Sequence, residues 1–264
     1  MNKTGEEPIL SLPERHNRIL ALLQQFGSIS VAQLAERFKV SEVTIRKDLS
    51  YLEQQKKLYR THGSAILISP YISDRHVNEK EKRNVAEKRA IGAFAASLIA
   101  QDDSIIIASG TTVTFLAREI NPAGHLTAIT ASVPVTQILS QCPDVDVIQL
   151  GGITRSSSVS VVGPFAEQML RSFNCSKLFI GVDGIDTEFG LTTTNMLEAS
   201  LNGAMIDAAQ KVIVLADSSK FGRRGFSKIC DLESVDRIIT DSGVQSVYLY
   251  RLRERGIEVT VVDV

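Results

Sequence analysis

The stretch VAQLAERFKVSEVTIRKDLSYLEQQKKLYRTHGSA, residues 31–65, decides the N-terminal fold. Ser30 stands ahead of it with Gln33 three residues on, the spacing of a capping box, before Leu34, Ala35 and Phe38. Ser41 is a second cap and opens the helix EVTIRKDLSYLEQ. Two short helices joined through about three residues predict a helix-turn-helix. Upstream, Arg15 to Gln25 with Phe26 carries Ile19, Leu20, Leu22 and Leu23 on a helical period, and Gly27 is placed to end that helix. At about 100° per residue, Ile45, Leu49 and Leu52 share one face of the last helix, Val43, Lys47 and Ser50 point away, and Thr44 and Arg46 flank them. Downstream, KLYR and AILI are strand-like with His62-Gly63 as a tight turn, so a hairpin wing completes the module.

That outer face suits a major groove. Arg46 and Lys47 can meet phosphates or guanine, Thr44 can donate or accept, and Val43 can touch a thymine methyl. Lys56, Lys57, Arg60 and His62 place positive charge on the wing. The residues expected to meet DNA are Ser41, Val43, Thr44, Arg46, Lys47, Ser50, Arg60 and His62. Residues 12–67 form this basic head: nine Lys and Arg against five acids give it a net charge of +4 within a chain whose total is −1. The remainder is therefore acidic, a division that suggests an anionic polymer as the head's partner.

With 264 residues, 44% hydrophobic and 22% charged, the chain has globular composition and room for a second, larger domain. Cys142, Cys175 and Cys230 lack the close Cys/His spacing of a zinc site, and the expectation is no metal and no cofactor. Neither a signal peptide nor an 18-residue apolar run is visible, so the expected location is the cytoplasm, with no membrane partner. Residues 68–90 read as a linker passing into a helix with Val85, Ile91, Phe94, Ala95 and Leu98, and their dense charge reads as a solvated face.

From Ser104 short apolar runs alternate with helical stretches. Strands are expected at 104–108, 126–130, 145–150, 177–182, 211–216, 236–240 and 258–262, and helices at 113–120, 133–141, 165–173, 197–209 and 244–255. This alternation predicts a mainly parallel, Rossmann-like α/β domain over residues 91–264. Polar or glycine-rich loops end the strands, where such sheets bind ligands. The strand IIIA, the loop SGTT at Ser109, Gly110, Thr111 and Thr112, and a following helix offer N–H groups and hydroxyls to a phosphate. Lys220, beyond Asp217, supplies a countercharge. Either feature alone is as readily a capping turn or a surface lysine; together they favour an anion.

Residues 31–65 resemble the helix-turn-helix and wing of the DeoR family of bacterial transcriptional regulators, whose pattern is roughly VSxxTIRxDLxxL followed by RxHGGA, with Ser64 in place of the second glycine. The segments IIIASGTTVTFLA, VIQLGG, VVGPFAEQML, LFIGVDGID, GLTTTNMLEA and VIVLADSSKFG resemble that family's effector domain, whose fold is shared with ribose-5-phosphate isomerase. The resemblance implies a repressor of a sugar or polyol catabolism operon that binds double-stranded operator DNA as a homo-oligomer, a dimer or tetramer. It also implies a phosphorylated sugar or polyol held by Ser109 to Thr112 with Gly151, Gly152, Asp183, Gly184, Asp217 and Lys220. The alternative is a sugar-phosphate isomerase with an accessory head, for which Asp183, Asp186 and Glu198 offer carboxylates. The Lys-Gly-Gly-Gly segment of the isomerases is missing, and an isomerase has no use for a winged helix.

Overall fold

The computed structural model describes residues 11–26, 28–55, 57–61, 63–67 and 77–264. The chain divides into two compact units, Met1–Tyr71 and Ile72–Val264. In the first, α1 (Leu12–Phe26) is followed by β1 (Ser28–Ser30), α2 (Val31–Phe38), α3 (Glu42–Gln54), β2 (Leu58–Thr61) and β3 (Ser64–Leu67). The Ser30 hydroxyl accepts from the Gln33 amide at 3.1 Å while the Gln33 side chain accepts from the Ser30 amide at 3.0 Å, the reciprocal capping box. Ser41 caps α3 through the Thr44 amide at 3.2 Å. Between the helices Lys39 takes a left-handed φ of 52° and reverses the chain. The Gly27 stop and the His62 turn contact lie outside the described residues.

Ile19, Leu23, Leu34, Ile45, Leu49, Leu52 and Leu58 are buried together, as the helical period requires. Full burial of each stabilises the fold by about 1.5–3 kcal/mol. Strand β1 joins the wing, pairing Ile29 with Ala65 so that the sheet order is β1-β3-β2. Periodicity gave no hint of it, because three residues hold too little alternation.

Asp48, also on the buried side of α3, is 3% exposed. Its carboxylate accepts from Arg15 Nε at 2.6 Å and Nη2 at 3.1 Å, and lies 3.1 Å from His16 Nε2. A buried ion pair adds little net stability, but removing one partner strands the other.

The second unit begins with α4 (Val77–Glu81) and α5 (Val85–Ala96). Then follow β4 (Ser104–Ile107), α6 (Thr111–Glu119), β5 (Leu126–Thr130), α7 (Val133–Leu139), β6 (Val145–Gln149), β7 (Ile153–Arg155), β8 (Ser160–Val162), α8 (Pro164–Leu170) and β9 (Lys177–Gly181). The chain continues through β10 (Gly184–Asp186), β11 (Gly190–Thr193), α9 (Met196–Asp207), β12 (Val212–Leu215), β13 (Ser227–Cys230), β14 (Arg237–Asp241), α10 (Ser246–Glu254) and β15 (Glu258–Val262).

Seven strands form one sheet in the order β15-β14-β12-β9-β4-β5-β6, every pair parallel. Alternate residues of each strand enter opposite cores. Ile105, Ile107 and Phe179 pack with Ile91, Leu116 and Leu139 of α5, α6 and α7. Ile106, Ile180 and Val214 pack with Leu170, Met205 and Leu252 of α8, α9 and α10. A sheet covered on both faces explains why its strands read as unbroken apolar runs. The β7–β8 hairpin and the antiparallel β10-β11-β13 sheet are further findings, built from strands of three or four residues that carry no period.

The charged run expected as a solvated face is corrected in part: Lys88 is 3% exposed. Its ammonium donates to the carbonyls of Lys80 and Arg83, each at 2.5 Å, tying α5 to the turn after α4. A lysine can be buried when backbone carbonyls replace its water, and burial lowers its pKa to about 8.

Gly92 lets α5 and α6 approach closely, since a Cβ there would lie 2.7 Å from the Leu116 backbone nitrogen. Gly92→Ala should therefore destabilise the second unit by about 1–3 kcal/mol despite alanine's better helix propensity. A thermal midpoint at or above wild type would contradict this. In the head, Asp48→Ala should cost about 3–5 kcal/mol, whereas the apolar pair Arg15→Met with Asp48→Leu should leave the melting transition near its wild-type position.

Candidate functional site

On α3, Val43 is 59% exposed, Arg46 and Lys47 are exposed, and Ser50 and Thr44 are half-buried. Arg46 pairs with Glu42 at 2.7 Å, one turn back along the same helix. Arg60 of β2 donates to Ser50 Oγ at 2.9 Å, which brings a wing cation onto the helix surface. Ser41 and Thr44 hydrogen-bond each other at 2.9 Å. The structure thus gathers Val43, Arg46, Lys47, Ser50 and Arg60 on one side of α3, while His62 falls outside the described residues.

In the second unit, strand order reverses between β4 and β9: the chain proceeds to β5 and β6 on one side, then to β12, β14 and β15 on the other. The loops leaving β4 and β9 diverge and open a crevice at the carboxyl edge. Lys80, Ser109, Gly110, Thr111, Thr112, Asp183, Thr193, Glu198 and Lys220 line it, with Gly181 and Val182. Gly110 has φ 134°, in the range where a side chain is strained, and precedes α6 with no side chain capping the helix. The first amides of α6 are thereby left for a ligand.

Two cations and two carboxylates face this helix end. Asp183 Oδ1 accepts from Lys80 Nζ at 2.9 Å and lies 4.0 Å from Lys220 Nζ. Its Oδ2 accepts from Thr193 Oγ1 at 3.2 Å and Thr194 Oγ1 at 3.3 Å. Burial would raise the Asp183 pKa, but Lys80 and Lys220 outweigh it and the carboxyl is held below its usual range. Glu198 pairs with Arg155 Nη1 at 2.5 Å and accepts from Ser109 Oγ at 3.3 Å. Burial, helped by the Asp183 charge, raises the Glu198 pKa. Lys220 is pushed down by burial against the pull of Asp183 and Asp217. The two ammonium groups beside an uncapped helix start fit an anion, and the carboxylates fit donors such as hydroxyls.

The remaining residues singled out in the sequence lie elsewhere. Asp217 supports the site from beneath, accepting from the Ser219 amide at 3.0 Å and from Asn84 Nδ2 at 2.9 Å. Gly151 donates to Met169 Sδ at 3.4 Å, and Gly152 packs on the Val162 carbonyl, both outside the crevice lining. Gly184 lets β10 pass close to the Arg223 carbonyl. Sequence reasoning missed Lys80, Arg155 and Thr193. The polar run Thr192 to Asn195 between two apolar segments is a usable signal for Thr193, whereas Lys80 is one lysine in a charged run.

No helix among the described residues is long and apolar enough to cross a membrane. Residues 15–71 match the DeoR-like helix-turn-helix domain and residues 83–242 the DeoR C terminal sensor domain. The chain is 39% identical to the HTH-type transcriptional regulator YulB of Bacillus subtilis, over 94% of this chain and 96% of that one. It is 36% identical to the lactose phosphotransferase system repressor of Streptococcus mutans, over 86% and 91% of the two chains. To the transcriptional repressor AccR of Agrobacterium fabrum it is 33% identical, over 90% and 92%. These relatives are regulators and repressors, which removes the isomerase alternative. With both of its domains matched, the chain belongs to the DeoR family of helix-turn-helix transcriptional regulators.

Proposed function

We propose that this protein represses a sugar or polyol catabolism operon and is released by a phosphorylated sugar or polyol bound in the second unit. The observation that carries this reading is the uncapped start of α6 facing Lys80 and Lys220 across one crevice. A phosphate accepts from main-chain amides at a helix N-terminus and gains from both ammonium groups. The sugar hydroxyls then fall to Asp183, Thr193 and Glu198. A relative named for a lactose phosphotransferase system supports the same ligand class.

In the head, Val43, Thr44, Arg46, Lys47 and Ser50 read the major groove, and Arg60 with His62 follows the backbone. A homo-oligomer, dimer or tetramer, would present paired recognition helices to a repeated or palindromic site in the cytoplasm. The ligand changes DNA affinity only in so far as it binds the DNA-competent and DNA-incompetent arrangements unequally.

The deciding experiment is fluorescence anisotropy on the protein's own upstream DNA at fixed salt, repeated with phosphorylated sugars and their unphosphorylated parents. Salt-dependent binding altered by one phosphate alone is expected; a response to the parent sugar would sink the phosphate assignment. Lys220→Ala should weaken effector binding about 10–100-fold, the loss of a charged hydrogen bond, with operator binding intact. Lys47→Ala should weaken operator binding and reduce the salt slope by about 1, leaving the calorimetric heat of effector binding unchanged. If either substitution removes both activities, the two units do not divide the labour in this way.

A further inference from the structure

The β7–β8 hairpin touches the crevice on one side and the start of the second unit on the other. Arg155, at the end of β7, holds Glu198 at 2.5 Å through Nη1 and donates to Ser157 Oγ at 3.2 Å through Nη2. The Ser157 carbonyl accepts from the Val77 amide at 2.7 Å. Val77 is the first residue of α4, and α4 also carries Lys80. Along the chain, Val77 directly follows the segment that leads out of the head.

The turn of this hairpin is strained. Val159 has φ 48°, a conformation costly for a β-branched residue. It persists because the neighbouring amides are held: Val133 N donates to the Val159 carbonyl and Val161 N to the Ala131 carbonyl. Strain held in place by its edges favours rearrangement once those restraints loosen.

Resting on the effector reading above, we propose that the chain Glu198–Arg155–Ser157–Val77 carries crevice occupancy to the head's connection. A ligand hydroxyl donating to Glu198 competes with Arg155. Arg155 then no longer orders Ser157, and the Val77 amide loses its acceptor. The hairpin is the element with two arrangements, and the ligand favours the one in which Val77 is released.

Two measurements test this, with phosphates of galactosamine, galactitol and glycerol, and inorganic phosphate, as probes. The first is amide exchange at Val77 in the unaltered protein. Val77 opens α4, so its protection reports the Ser157 contact, and a phosphate that releases operator DNA should speed its exchange about fivefold or more. Unchanged exchange while DNA release proceeds overturns the relay and leaves the effector reading standing. The second is Val77→Pro, which deletes the N–H at a helix position that tolerates proline, with Val77→Ala as the control that keeps it. Val77→Pro should bind the phosphate as the unaltered protein does, but without phosphate it should already bind the operator more weakly, because its Val77 is released whether or not the crevice is filled. The ratio of operator Kd with and without the phosphate should fall about fivefold, the weight of one backbone hydrogen bond, and Val77→Ala should keep that ratio. A ratio equal to wild type in Val77→Pro, or an equal loss in Val77→Ala, overturns the relay. If Val77→Pro does not fold, the exchange measurement decides. Silence of the unaltered protein to every probe overturns the effector reading and the relay with it.

Discussion

The reversal of strand order between β4 and β9 is the constraint on which the second unit depends. Two adjacent parallel strands whose following chains depart in opposite directions cannot close their common carboxyl end with loops. The gap exposes the start of α6 and collects whatever side chains the neighbouring elements project. In this chain four of those are charged, Lys80, Asp183, Glu198 and Lys220, and charges removed from water must be neutralised locally. Asp183 stays ionised in its buried place because Lys80 and Lys220 face it from two elements far apart in sequence. The charge balance of the crevice therefore depends on α4 being in position, and a ligand phosphate that draws on either lysine disturbs the balance holding α4.

The same electrostatic logic explains what was legible in the sequence. Strands β4, β5, β6, β9, β12, β14 and β15 announce themselves because a doubly covered sheet needs apolar residues on both faces, and their observed ends fall within a residue or two of the expected ones. The head is legible because its helices carry apolar stripes and serine caps. The SGTT loop is legible because few sequences place a glycine and three hydroxyls between an apolar run and a helix. Lys80, Lys88, Arg155 and Asp48 were hidden for one shared reason. A charged side chain in a sequence looks solvated, and only a fold reveals that another charge or a carbonyl has replaced its water. Short antiparallel strands such as β7 and β10 were hidden because pairing, not composition, defines them.

Asp48 illustrates what a buried charge contributes when stability is not the gain. Its position beside Leu49 puts it on the inner side of the helix whose exposed side carries Lys47, and Arg15 grips both carboxylate oxygens. Leucine would serve the core as well, but an apolar contact tolerates sliding, whereas a two-point hydrogen bond fixes rotation and height along α1. Base contacts need side chains placed to fractions of an ångström. If α3 reads base edges as proposed, a bidentate pair behind it suits discrimination between DNA sequences more than it suits folding.

Each unit has its own core, caps and buried ion pairs, and this shapes any account of control. Among the described residues, the head's apolar cluster draws on residues 19–65. Ligand occupancy can change DNA affinity by biasing how heads are presented, for which the covalent connection and association of copies are two routes. Either route requires that the first elements of the second unit differ between the bound and free arrangements, since a ligand indifferent to that difference shifts nothing. Lys80 on α4 and the Val77 amide at its start both depend on residues of the crevice or of the hairpin beside it. The shortest α-helix described in the unit is thus tied to the site at both its start and its lysine, and a five-residue helix held by a few polar contacts is cheap to move.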